Sequence, residues 1–189
     1  EAGIASSRGF VVETMGRDCG YLAVMSGIAA GAERIYTNED GISLDDLAND
    51  VHWLRESFAH GRRLFLAVRN ENASHNYTTD FIARLLEEES HGMYDVRQVV
   101  LGHMQQGGSP SPFDRLLANR LGYRALNLID DELAAHQDGS WFIGVNESGM
   151  RPCSMDTMPS LIDAAHRRPR EQWWLQLRTI ARMVSDEVR

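Results

Sequence analysis

The run LFLAV at residues 64–68 has no polar interruption. A strand that must bury both faces reads this way, and such strands belong to parallel sheets covered by helices on each side. Parallel neighbours need crossover connections, so helical segments must separate the strands. The rest of the chain supplies that alternation. Strands are expected at GFVVET (9–14), at Arg34 to Tyr36, at 96–101 and at WFIGV (141–145). Small apolar residues at 18–31 suit a tightly packed helix. Ser43 and Asp46 have capping-box spacing, and Leu44, Leu47, Val51, Leu54 and Phe58 then form one apolar stripe that Gly61 ends. Thr78 or Thr79 caps a helix carrying Phe81, Ile82, Leu85 and Leu86. A later helix shows Phe113, Leu116, Leu117, Leu121, Ala125 and Leu128. Residues 146–170, with three of the five prolines, read as irregular. A last amphipathic helix is expected from about Glu171, with Trp173, Trp174, Leu177, Ile180 and Val184. The expected fold is a three-layer α/β/α arrangement with a mostly parallel sheet and right-handed crossovers.

Composition narrows the function classes. The chain has 189 residues, 43% hydrophobic and 24% charged, as soluble globular proteins do. No apolar run approaches the ~20 residues needed to span a membrane. No basic segment followed by an apolar one opens the chain, so no secretory signal is expected. The opening EAGIASSR lacks Met and reads as a start in mid-protein. A net charge of −8 argues against a general nucleic-acid binder. Cys19 and Cys153 are far apart without CxxC spacing, so no disulfide framework or zinc site is expected and a reducing cytoplasm fits. Cys19 near a helix start has no base beside it in sequence and reads as structural.

Three expected strands end in polar turns. These are Glu13 to Arg17, Arg69 to Asn72, and Gly102 to Gly108. In open parallel sheets, ligands bind outside the carboxyl ends of the strands. If the strands are parallel, the turns converge and offer a carboxylate, amides, backbone N–H donors, an imidazole and a guanidinium. Carboxylates and amides pair with hydroxyls, whereas Arg and His pair with phosphate, so the set suits a sugar phosphate. Gly107 and Gly108 permit close backbone approach, and the following helix start favours an anion. Arg17 beside a helix start is electrostatically unfavourable unless an anion binds there. Arg8 and Arg97 sit at strand beginnings, the opposite edge, and suit a pocket in a two-fold mate. Each residue also has a plainer role open to it: solvated surface charge for Arg8 and Arg97, N-cap or surface group for Glu71, core histidine for His103, packing for the tryptophan pair.

At these residues the chain resembles the ATP-dependent 6-phosphofructokinases. The matching segments are FVVETMGRDCGYLA, LAVRNENASHNYTTDFI, VRQVVLGHMQQGGSPSPFDR and RPREQWWLQLR. NYTTDFI, HMQQGG and PREQWW look like the C-terminal, regulatory half of the duplicated eukaryotic enzyme. The resemblance implies a sugar-phosphate site made of Met15, Gly16 and Arg17 at the sugar, Glu71 on its hydroxyls, and His103, Met104, Gln105 and Gln106 at the phosphate. It implies Arg8 and Arg97 donated by a neighbouring subunit, and Arg167 reaching the effector phosphate. Gln106 stands where the catalytic half has an arginine and points to regulation by fructose 2,6-bisphosphate. Arg17 points the other way, toward a catalytic lobe in which it faces the transferred phosphate. Free-standing sugar-phosphate sensing is a third reading.

The resemblance also implies fructose 6-phosphate as substrate, ATP and Mg2+ bound outside this chain, no metal site within it, and a cytoplasmic homo-oligomer, a tetramer. It assigns residues 1–150 to the sugar-phosphate lobe, with part of 103–145 on the nucleotide side, and 151–189 to a C-terminal extension returning to the lobe. The family's glycine-rich nucleotide loop and aspartate base motif are not found in the sequence, so the piece alone is expected to be inactive.

Overall fold

The computed structural model describes residues 7–146, 149–180 and 183. Four parallel strands form the main sheet: β1 (Arg8–Thr14), β2 (Arg34–Tyr36), β3 (Leu64–Asn70) and β4 (Asp95–Val100), in the order β2-β3-β1-β4. Three helices make the crossovers: α1 (Tyr21–Ala30), α2 (Leu44–Ala59) and α3 (Thr79–Glu88). The doubly covered parallel sheet inferred from LFLAV is therefore present. Phe65 and Ala67 are fully buried, as β3 requires between two neighbours. Register aligns the carboxyl ends, pairing Thr14 with Asn70 and Glu13 with Val100.

The core gathers the stripes expected from periodicity. Leu47, Leu54 and Phe58 of α2 and Ile82 and Leu86 of α3 are buried against Val11, Phe65 and Val96. Leu44, at the first turn, stays 60% exposed. Ser43 and Asp46 form the reciprocal cap at the start of α2, with Ser43 N–H donating to the Asp46 carboxylate and Asp46 N–H to the Ser43 hydroxyl. Thr78 caps α3, accepting from Phe81 N–H.

Three local readings need correction. The first helix starts at Tyr21, not at residue 18, because Gly16, Arg17 and the following residues form a loop. Residues 146–170 are not irregular throughout. β5 (Trp141–Asn146) and β6 (Gly149–Ser154) form an antiparallel hairpin, followed by a 3-10 turn (Met155–Thr157), a short α5 (Met158–Leu161) and the two-residue strands β7 (Ile162–Asp163) and β8 (Arg168–Pro169). Prolines hid this, yet an edge strand tolerates Pro152. Glu171 and Gln172 lie outside a helix, and the tryptophan pair opens a 3-10 turn (Trp173–Leu177) that continues helically through Ile180. Val184 lies outside the described residues.

The chain separates into two compact units. One holds the parallel sheet and comprises, among the described residues, 7–106, 166–168, 172–180 and 183. The other holds 107–165 and 169–171, and contains α4 (Pro112–Ala135) and the hairpin. Ser111 and Asp114 cap α4 reciprocally, with Pro112 in its first turn. Leu117, Leu121, Ala125 and Leu128 are half-buried on one face, whereas Phe113 and Leu116 are exposed.

Candidate functional site

Parallel register brings the polar turns to one edge of the sheet. Glu71 is the link. Its Oε1 accepts from Gly16 N–H at 3.0 Å and Arg17 N–H at 2.7 Å. Its Oε2 has no hydrogen-bond partner among the described residues. The plainer N-cap role for Glu71 is therefore filled by Thr78 instead. Gln105 Oε1 accepts from Met15 N–H at 3.1 Å, tying the third turn to the first. The segment after β4 is a 3-10 turn (Gly102–Gln106) that carries His103, Met104, Gln105 and Gln106 together. His103 is exposed and is not a core histidine. Met104 is 83% exposed, and Gln106 is exposed beside it.

Backbone conformation explains the residue types in the first turn. Gly16 has φ +150, and a Cβ there would lie 2.6 Å from Cys19 O and 2.9 Å from Asn70 Nδ2. No side chain fits that space without moving backbone. Arg17 holds φ 51, in the left-handed region that costs a non-glycine residue roughly 1–2 kcal/mol. Two hydrogen-bonded backbone groups on Glu71 compensate. The Arg17 side chain is exposed and makes no ion pair among the described residues. Gly20 N–H, just before α1, donates to both Glu39 carboxylate oxygens at 2.9 and 3.0 Å. Glu39 therefore occupies the anion position at that helix start.

The C-terminal segment adds two arginines. Arg167 also has a left-handed φ of 51, and its Nη2 lies 3.6 Å from Asp18 Oδ2. Asp18 accepts from Asn72 Nδ2 at 2.9 Å. That hydrogen bond, with help from Arg167, holds the Asp18 carboxyl below its ordinary range. Arg168 donates to Asp18 O at 2.8 Å and Asn38 Oδ1 at 3.0 Å. Sequence reasoning missed Arg168, Asp18, Asn38 and Glu39, and named Asn72 only as part of a polar turn. Their positions beside MGR, NEN and PREQWW were the available signal, but nothing in spacing pairs residues more than a hundred apart.

Below the turns lies a buried ionic core. The Arg69 side chain is 2% exposed, and its Nη1 pairs with Glu13 Oε2 at 2.5 Å. Arg69 also donates to Thr79 Oγ1 at 3.1 Å and Ser74 O at 2.8 Å, and Thr79 donates to Glu13. Glu13 and Arg69 thus face each other rather than a ligand, with Arg69 Nε unpartnered among the described residues. Cys19 is partly buried, which pushes its thiol up, in agreement with a structural role. Trp174 is buried and meets Tyr21 edge-on at 5.1 Å, while Trp173 is 57% exposed.

At the opposite end, Arg8 pairs across with Asp95 in the β1–β4 register, and Phe10 with Arg97. The two arginines stand apart from the strand-end turns, as their positions implied. Arg97 is exposed with Asp95 3.9 Å away, and Arg8 Nε is buried without a partner among the described residues. A separate cavity of about 640 Å³ opens beside β2, lined by Glu33, Tyr36, Asp50 and Arg178 among others. Inside it Tyr36 donates to Asp50 Oδ2 at 2.6 Å. Burial, reinforced by Asp50, pushes the Tyr36 hydroxyl well up. The cavity is not the strand-end site. Its charged groups largely pair with one another, as Arg34 with Asp50 and Arg178 with Asp40 do.

A parallel α/β sheet with its polar turns gathered at the carboxyl edge defines an open α/β protein, the class in which ligands bind at that edge. The family model for phosphofructokinase matches residues 2–129, and the chain belongs to the phosphofructokinase family. It is 42% identical to the muscle-type ATP-dependent 6-phosphofructokinase of Homo sapiens, over 94% of this chain and 24% of that protein. The solved phosphofructokinase of Saccharomyces cerevisiae superposes with a TM-score of 0.90 at 32% identity, covering 97% of this chain and 26% of that one. The T-state phosphofructokinase of Pichia pastoris gives a TM-score of 0.87 at 32% identity, over 100% of this chain and 23% of that one. The chain spans about a quarter of the length of these relatives.

Proposed function

We propose that this chain is a portion of an ATP-dependent 6-phosphofructokinase, from the C-terminal half, and that its strand-end site binds a sugar bisphosphate as an allosteric activator. The observation that carries this reading is the Glu71 link to Gly16 and Arg17 beside His103 and Gln105. In this reading Glu71 Oε2 accepts from a sugar hydroxyl. Arg17, His103 and Arg167 meet the phosphates, and Gln106 supplies an amide where catalysis would want a cation. Met15 and Met104 wall the sugar. The whole enzyme converts fructose 6-phosphate and ATP to fructose 1,6-bisphosphate and ADP, and the activator is fructose 2,6-bisphosphate.

Arg8 and Arg97 complete the same site on a two-fold mate within a cytoplasmic homo-oligomer, a tetramer. Because a two-fold contact is reciprocal, a ligand held by both subunits favours one quaternary arrangement over another. Residues up to about 150 make the sugar-phosphate lobe, with part of 103–145 on the nucleotide side, and 151–189 form its extension.

Phosphoryl transfer needs a positioned nucleotide, metal and a proton acceptor. No group of three or more His, Cys, Asp or Glu side chains among the described residues suits a metal ion. In this reading the residues of this chain serve the sugar phosphate, and ATP and Mg2+ bind the remainder of the enzyme. Alone, the chain is expected to show no ATP-dependent phosphorylation of fructose 6-phosphate; measurable turnover would refute this. Calorimetric titration with fructose 2,6-bisphosphate tests the binding reading, and absence of binding by the oligomer would end it.

One observation favours a second reading. The exposed, unpaired Arg17 guanidinium suits a transferred phosphate, as in a catalytic lobe with Gln106 a tolerated change. Loss of turnover with intact activator binding in Arg17→Ala of the whole enzyme would select it.

A further inference from the structure

We propose that Arg168 is a positioning residue of the strand-end site, tying the loops after β1, β2 and β3 into one rigid piece and so setting the geometry of Gly16, Arg17 and Glu71. Its mechanical part stands on the contacts alone; its consequence for a ligand rests on the sugar-phosphate reading above.

The contacts close into a ring. Arg168 Nη1 donates to Asp18 O, immediately after Arg17, at 2.8 Å. It also donates to Asn38 Oδ1, after β2, at 3.0 Å. Asn38 Nδ2 donates to Asn72 O, immediately after Glu71, at 2.8 Å. Asn72 Nδ2 returns to Asp18 Oδ1 at 2.9 Å. Two of the three loops meet one guanidinium directly, and the third is held to both of them by Asn38 and Asn72. The Glu39 carboxylate is 5% exposed, lies 3.8 Å from Arg168 Nη1, and holds the Gly20 N–H at the start of α1.

Burial separates the roles of the two neighbouring arginines. The Arg168 side chain is 14% exposed, whereas Arg167 is 65% exposed. Arg168 is enclosed with its loop partners, and Arg167 stays accessible. A ring of this kind strengthens each member, since buried polar networks are worth more intact than in parts. The positive charge also matters. Asp18 and Glu39 place two carboxylates beside an anion site, and Arg168 offsets their field. A lysine retains that charge, but its ammonium ends one bond short of the position of Arg168 Nη1, the atom that donates to both loops.

The test uses the full-length protein with Arg168→Met and Arg168→Lys. Amide hydrogen exchange is followed at Gly16, Arg17 and Gly20, with Val11 and Val68 in the sheet as internal references. Binding of fructose 2,6-bisphosphate is measured alongside. Arg168→Met is expected to raise exchange at the three loop amides about tenfold with the references unchanged, and to weaken binding by roughly tenfold, the scale on which a small misplacement of binding groups acts. Arg168→Lys recovers part of the affinity through its charge, yet leaves the loop amides exchanging faster than in the parent. Unchanged loop exchange in both variants overturns the proposal. So does an equal rise in the sheet references, which marks a merely structural role. If Arg168→Met does not fold, Arg168→Lys decides on the same amides. No binding by the parent protein, with the exchange pattern as expected, removes the sugar-phosphate reading and leaves the positioning role standing.

Discussion

The two ends of the main sheet are built from the same four strands and treat charge in opposite ways. At the carboxyl end the two terminal nitrogens of buried Arg69 are partnered by Glu13, Thr79 and Ser74 O, although its Nε has no partner among the described residues, and Glu71 spends one oxygen on backbone N–H groups. At the amino end Arg97 stands exposed, and the Arg8 guanidinium makes no hydrogen bond or ion pair among the described residues. A charge buried inside the fold must be satisfied there, or it costs several kcal/mol. A charge left at the rim keeps its water until something else takes its place. The contrast separates charges held by partners inside the fold from charges left at its rim.

Breaking the carboxyl end gives the largest expected effect. Arg69→Met leaves the Glu13 carboxylate without its cation and should cost about 3–5 kcal/mol of stability, as removal of one member of a buried pair does. Denaturant unfolding checks it, and a loss under about 1 kcal/mol would erase the contrast. Next comes Glu71→Gln, expected to weaken fructose 2,6-bisphosphate binding by about 10–100-fold through displacement of the Gly16–Arg17 turn. Its effect on stability should stay within about 1 kcal/mol, so calorimetry and unfolding together separate site from scaffold.

Arg97→Ala probes the amino end. Stability should change by no more than about 0.5 kcal/mol, because the side chain is exposed. Activator affinity should fall only in the assembled oligomer. Equal affinity of parent and variant in the oligomer would contradict a site shared between subunits.

The smallest effect at neutral pH belongs to Tyr94, just before β4. Burial pushes its hydroxyl up from 10.0 to about 12, and its buried oxygen has no hydrogen-bond partner among the described residues. The folded value lies above the unfolded one, so the folded state holds the proton longer. The contribution is complete below pH 10 and is lost as pH rises through about 12. Tyr94→Phe, which keeps the ring stacked on Phe58 at 4.3 Å, should change stability little at pH 7 and flatten the loss between those pH values. Thermal unfolding across the alkaline range reads this out. An unchanged alkaline slope would place the loss elsewhere, Tyr36 first.

Much of the sheet was legible because its signals are local. The uninterrupted LFLAV run, the Ser43–Asp46 spacing and the α2 stripe each report on a few consecutive residues, and each matches its element in the structure. The hairpin of β5 and β6 was not legible. Its second strand, GMRPCS, has neither alternation nor a β-branched run, and pairing alone makes it a strand. The tryptophan segment has helical spacing but begins as a 3-10 turn, with Trp174 placed by its packing on Tyr21. Of the candidate site, the three polar turns were legible as strand ends, whereas the role of each carboxylate was not. Glu13 and Glu71 look alike in sequence. Only the fold sends one inward to Arg69 and the other to the Gly16–Arg17 turn.

The sequence by itself determined the parallel strands, the helix caps and which turns end the strands, because hydrophobic period, capping and turn chemistry act within a few residues. It also carried the segments that mark the phosphofructokinase family. The tertiary structure alone decided that Arg69 pairs with Glu13 inside the fold and that Arg168 joins the loops holding Asp18 and Asn38. Those outcomes depend on strand order and register, which bring together groups as far apart as Asp18 and Arg168. No local pattern encodes such a distance, since its free energy comes from burying charge in one shared place.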